Sequence, residues 1–213
     1  MRKALFALPF IAVALIAATD VTPPAPTLTV VPPAAIAADP ANKLTLELSN
    51  GGKVVILLRP DAAPNHVQRI QQLVQAGFYN GIIFHRVIPG FMAQTGDPKG
   101  TGQGGSDLPD LKAEFSTLPH LRGSVAMART SDPNSANSQF YIAYGPNVGL
   151  DNKYTIFGRV IAGMDAVDKI AVGEPPAEPT KIVRASLEGA PAVAAAPAAE
   201  PAKPETVPAP TGG

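Results

Sequence analysis

The 213-residue chain has no cysteine and no tryptophan, and only 6% of it is aromatic. Without cysteine there is no disulfide framework, no thiolate nucleophile and no cysteine-type zinc site. An excess of charge is missing too: Lys plus Arg number 17, as do Asp plus Glu. That balance leaves no electrostatic footprint for nucleic acid or an anionic membrane surface. The three histidines, His66, His85 and His120, lack the short spacing of a helical metal motif, so neither a metal nor any other cofactor is expected. No G-x-S-x-G elbow, H-E-x-x-H pair or Walker lysine occurs. Gly100-Thr101-Gly102-Gln103-Gly104-Gly105 has the glycine content of a phosphate loop, but Asp107-Leu108-Pro109-Asp110 follows it. With neither a Lys-Ser/Thr pair nor a helix start, it reads as a mobile turn.

What the chain has in quantity is proline, 24 residues, unevenly spread. Thirteen fall in residues 1–42 and 189–213, where alanine is also dense. Segments such as Thr22-Pro23-Pro24-Ala25-Pro26 and Ala190-Pro191-Ala192-Val193 offer no periodic apolar face. Proline removes backbone donors and favours extended geometry, so both flanks read as linkers. Arg2 and Lys3 followed by the apolar run Ala4–Ala18 form a secretory signal, shorter than the roughly 20 residues that span a bilayer. Two cleavage sites remain open, one near Ala17–Ala18 and one after Ala35-Ile36-Ala37. With no lipobox cysteine, the expectation is an exported protein, periplasmic in a bacterium, with no stable membrane insertion after processing. The organisation reads as signal and leader over 1–37, a domain over 38–188 and a disordered tail over 189–213.

The middle segment has β-type patterning. Leu44, Leu46 and Leu48 alternate with polar residues, Asn50-Gly51-Gly52 supplies a turn and Val54–Leu58 runs apolar, a hairpin signal. A helix is predicted over Asn65–Ala76, with Pro64 at its start and Gly77 after it. Further strands are predicted at Ile82–Ile88, Phe91–Thr95, Gly123–Ala128, Gln139–Ala143, Tyr154–Val160 and Ile182–Leu187, and a second helix at Met164–Ile170. Together these give a mainly β fold, a closed or nearly closed antiparallel barrel with helical plugs.

The informative stretch runs from Phe84-His85-Arg86 through Phe91-Met92-Ala93-Gln94-Thr95-Gly96-Asp97. Strand alternation puts His85 and Arg86 on opposite faces, which leaves one fixed charge beside an apolar patch. This stretch resembles the signature of the cyclophilins, the peptidyl-prolyl cis–trans isomerases. Ala126-Met127-Ala128-Arg129 through Asn137-Ser138-Gln139-Phe140-Tyr141-Ile142 is similar to the family's second hallmark. Leu150-Asp151-Asn152-Lys153-Tyr154-Thr155-Ile156-Phe157-Gly158-Arg159-Val160 is similar to a third, and the three occur in family order. The resemblance covers roughly Leu44 to Leu187. It implies a closed eight-stranded antiparallel barrel capped by two α-helices, and isomerisation of Xaa-Pro bonds during the folding of exported proteins. The chain is then expected to act as a monomer on proline-containing unfolded or flexible polypeptides, without a cofactor.

The resemblance assigns catalysis to Arg86. It assigns the proline pocket to Phe91, Met92, Tyr141 and Leu150, and a substrate hydrogen bond to Gln94. The Ala128-Arg129 backbone would pair with the peptide, Gln139 lies alongside, and Tyr154 stands where many eukaryotic members carry histidine. Two departures stand out. A frequent pocket phenylalanine is Tyr141 here, and a common tryptophan before Leu150 is Gly149, so weak cyclosporin binding is expected. The competing reading is a non-catalytic proline-peptide-binding chaperone module, against which the presence of Arg86 argues.

Overall fold

The leucine alternation at the start of the domain becomes strand β1 (Lys43–Leu48), with Leu44, Leu46 and Leu48 buried. It pairs with β2 (Lys53–Leu58) through the expected hairpin. In this computed structural model, which describes residues 28–189, six more strands follow: β3 (Arg86–Ile88), β4 (Met92–Thr95), β5 (Ser124–Met127), β6 (Phe140–Ala143), β7 (Ile156–Ala162) and β8 (Ile182–Leu187). All ladders are antiparallel, and they join into one curled sheet in the order β3-β4-β6-β5-β7-β2-β1-β8. The signal run and the tail beyond Gly189 lie outside the described residues.

The predicted strand Ile82–Ile88 is divided. Residues 82–84 turn to meet residues 180–182, through the Ile83–Lys181 bridge and the Phe84 N–H to the Thr180 carbonyl. Only Arg86–Ile88 pairs with β4. The edge strands β3 and β8 therefore share no ladder, and the curl is bridged there by single contacts.

The predicted first helix is α2 (Pro64–Gln75), with proline in its first turn and Val67, Ile70, Leu73 and Val74 buried. The predicted second helix shortens to one turn, α3 (Met164–Val167). A short helix, α1 (Ala34–Ala38), occupies a stretch whose proline content reads as linker. Pro33 precedes it and alanine favours it, and the Asn42 amide donates to the Ile36 carbonyl at 3.2 Å.

Alternation along the strands sorts side chains into two apolar clusters on opposite faces of the sheet. The larger one joins Leu46, Ile56, Phe140, Ile142 and Phe157 to Ile70 of α2. The smaller one contains Met92, Leu118, Ala126, Tyr141 and Ile156. Ala93 and Ile142 belong to the first, while their chain neighbours Met92 and Tyr141 belong to the second. The candidate site sits on this second cluster.

Candidate active site

Strand register builds the site. Arg86 faces Gln94 across β3 and β4, Gln94 faces Tyr141 across β4 and β6, and Tyr141 faces Ala126 across β6 and β5. Residues far apart in sequence thus form one row on the face opposite the main core. A cavity of about 120 Å³ opens on this row. Phe91, Met92 and Tyr141 line it together with Leu150, carried on the 3-10 turn Val148–Leu150. Arg86, Gln94, Ala128, Arg129 and Tyr154 complete its wall. Nine of the ten site residues read from the sequence therefore meet at one small cavity.

The tenth, Gln139, lines a larger neighbouring cavity of about 650 Å³ that shares Gln94, Ala128 and Arg129 with the first. Its amide donates to the Gly102 and Gly104 carbonyls at 3.0 and 2.7 Å, and its Oε1 accepts from Gln94 Nε2 at 2.9 Å. The glycine-rich stretch is thereby the outer wall of this cavity. It is also pinned: the Asp97 carboxylate accepts from the backbone N–H groups of Lys99, Thr101 and Gly102 at 2.7–2.9 Å. Burial would raise that carboxyl, but the backbone donors outweigh burial and hold it below its usual range. These donors, which a phosphate would need, are already taken.

Polar contacts fix the pocket wall. Arg86 is half-exposed, and its Nε donates to Glu174 Oε2 at 3.1 Å. Arg129 lies over the Tyr154 ring at 4.4 Å, and its guanidinium donates to the Thr130 and Lys153 carbonyls at 2.8 and 2.7 Å. Tyr154 in turn meets Tyr141 edge-on at 6.0 Å. The Ala128 N–H is committed to the Gln139 carbonyl at 2.9 Å.

The extra hydroxyl of Tyr141 turns away from the cavity to buried His120, with Nε2 at 3.1 Å. Burial pushes the Tyr141 phenol well above its ordinary pKa, so the hydroxyl keeps its proton; in the tautomer that donates Nδ1–H to Asp151, the His120 Nε2 accepts from it. His120 Nδ1 and backbone N–H both reach Asp151 Oδ1, at 2.9 and 2.8 Å, while the His120 carbonyl accepts from Asn147 at 2.9 Å. One histidine thus links Tyr141 to the turn that carries Leu150.

Sequence reasoning missed His120 and Glu174. A loop histidine next to a proline carries no periodic signal, and Glu174 is 88 residues from its partner. His66 of α2 is buried and meets Glu114 Oε2 at 2.6 Å. The cause is that α2 turns this residue inward against the segment around Glu114. His85 is 5% exposed and abuts the glycine-rich stretch, where a Cβ on Gly102 would lie 3.6 Å from its ring.

The fold and site are those of a prolyl isomerase. Residues 43–187 match the family model of the cyclophilin-type peptidyl-prolyl cis-trans isomerases, and the chain belongs to that family. A probable peptidyl-prolyl cis-trans isomerase of Brucella suis biovar 1 is 51% identical over 170 residues, covering 72% of this chain and 86% of that protein. Peptidyl-prolyl cis-trans isomerase ppi1 of Schizosaccharomyces pombe is 39% identical over 142 residues, covering 63% and 92%. Among solved structures, a cyclophilin from Hirschia baltica superposes with a TM-score of 0.65 at 33% identity, covering 70% of this chain and 74% of that one. A cyclophilin-type isomerase of Cryptosporidium parvum, crystallised in the presence of the dipeptide Ala-Pro, gives 0.64 at 28% identity, covering 70% and 99%.

Proposed function

We propose that this chain turns Xaa-Pro bonds of exported, incompletely folded polypeptides by stabilising a twisted amide with Arg86, without covalent chemistry. Amide rotation faces a barrier of about 18–20 kcal/mol because resonance is lost on twisting. The two isomers of an Xaa-Pro bond are close in energy, so the obstacle is the barrier alone. On twisting, the proline nitrogen becomes pyramidal and gains a lone pair. A guanidinium donating to it acts mainly in the transition state, which is the condition for raising the rate rather than only the affinity.

The observation that carries this reading is the cross-strand row that sets Arg86 and Gln94 at the rim of an apolar cavity floored by Met92 and Tyr141. The cavity suits a proline ring, while the substrate carbonyl would take a hydrogen bond from Gln94. Since the Ala128 N–H is taken, a bound peptide would pair as an added strand with the Ala128 carbonyl and the Arg129 N–H. The Ala-Pro dipeptide used with the Cryptosporidium protein is in keeping with this substrate class. Gly149 beside Leu150 leaves out a ring that would grip cyclosporin, and binding of that ligand is then weak.

Export rests on the signal pattern at residues 2–18. The cleavage reading favoured is the one near Ala18, because buried Arg59 donates to the Thr29 and Val30 carbonyls at 2.9 and 3.3 Å. A cut after Ala37 would strip both acceptors from a guanidinium that is 4% exposed. The mature enzyme is then a monomer that begins before Leu28.

A protease-coupled proline isomerisation assay on wild type and Arg86→Ala tests the catalytic reading. Removing a single transition-state donor costs about 10²–10³ in rate elsewhere, and a loss of that order is expected with the fold intact by circular dichroism. Equal, slow rates for the two proteins would instead favour the binding-module reading.

A further inference from the structure

The structure assigns Glu174 as a positioning residue for the Arg86 guanidinium, an inference that rests on Arg86 being the catalytic group. Arg86 Nε is engaged by Glu174 at 3.1 Å, and among the described residues neither Nη has a hydrogen-bond partner. Engaging Nε fixes the plane of the guanidinium and leaves its two Nη groups free at the rim of the apolar cavity. The planar fork makes this possible, whereas an ammonium would rotate.

The carboxylate is not there by chance proximity of two surface chains. Val87 and Gly173 exchange both backbone hydrogen bonds, at 2.8 and 3.1 Å, which docks the Gly173-Glu174 segment against β3 one residue from Arg86. Gly173 is required for the tight turn that follows: its φ is +147°, and a Cβ would lie 2.6 Å from the Pro176 backbone. The backbone bridge therefore holds Glu174 in place whether or not its side chain is charged. An exposed pair of this kind is worth up to about fivefold in an equilibrium, and the effect on rate should be of that size.

Kinetics of wild type, Glu174→Ala, Glu174→Gln, Arg86→Ala and the Arg86→Ala/Glu174→Ala double variant test this. Glu174→Ala is expected to lower kcat about threefold to fivefold with KM within twofold. Glu174→Gln, which keeps an acceptor for Nε, should recover part of that loss. In the Arg86→Ala background the Glu174→Ala change should have no further effect. An unchanged or raised kcat in Glu174→Ala overturns the proposal, as does an equal loss in the Arg86→Ala background. If Arg86→Ala itself retains full activity, the catalytic reading of Arg86 fails, and the positioning role fails with it.

Discussion

The Tyr141 hydroxyl donates to His120 Nε2 across 3.1 Å, away from the cavity that its ring helps to floor. The pocket therefore presents an aromatic face, as a phenylalanine would, while the oxygen is used for structure. Tyr141→Phe should keep kcat/KM within about threefold in the isomerase assay. It leaves a buried histidine nitrogen unpaired, so urea unfolding should show a loss of about 1–3 kcal/mol. A large activity loss at unchanged stability would mean that the hydroxyl contacts substrate.

Gly149→Trp should raise cyclosporin affinity about tenfold or more by isothermal titration, since a buried tryptophan commonly contributes about 2 kcal/mol at an interface. The site tolerates a side chain, because a Cβ there meets only the flexible Asn147 amide at 3.3 Å. Wild-type affinity matching that of tryptophan-containing members would contradict the role given to Gly149.

Acid should act in two separate windows. His85 is buried, and burial pushes its pKa below 6.5, with the nearby Asp97 carboxylate opposing. His66 shifts the same way, again through burial, with Glu114 opposing. As pH falls through the unfolded value near 6.5, the unfolded chain takes up protons that the folded chain resists. Stability then falls, with a slope of at most about 1.4 kcal/mol per pH unit for each histidine. Asp97 is depressed in the folded state, so its contribution is present above pH 3.8 and is lost as pH falls through its lower folded value. Urea unfolding between pH 7 and 5 should show a gentler slope for His85→Gln than for wild type. Superimposable slopes would remove His85 from this account.

N-terminal sequencing of the exported protein should find a start before Leu28. Recombinant chains beginning at residues 28 and 38 should differ in melting temperature, the shorter one being less stable because Arg59 loses the Thr29 and Val30 carbonyls. Equal melting temperatures would restore a cut after Ala37.

The strands were legible wherever burial on one face left an alternating trace, as at Leu44, Leu46 and Leu48. They were less so where both faces are covered. In β5 and β6 every residue is buried, because the main core lies on one side and the smaller apolar cluster on the other. Alternation there is invisible in hydrophobicity, so these strands read from the sequence only as short apolar runs. The split of Ile82–Ile88 was hidden for another reason: apolar runs do not encode which partner strand they will meet. In the leader, proline content outweighed the alanine run that forms α1.

The sequence by itself determined the chemistry. Its motif blocks carry the resemblance to the isomerase family and single out Arg86 and the aromatic and sulfur-bearing floor as the proposed catalytic group and pocket. Tertiary structure alone decided how those groups are held. Arg86, Gln94 and Tyr141 become neighbours only through strand register, and Glu174, His120 and Asp97 acquire their roles only through partners brought from elsewhere in the chain. Local patterning records which face of an element is buried; it does not record which distant polar group will satisfy a particular donor. That assignment is made when the sheet curls.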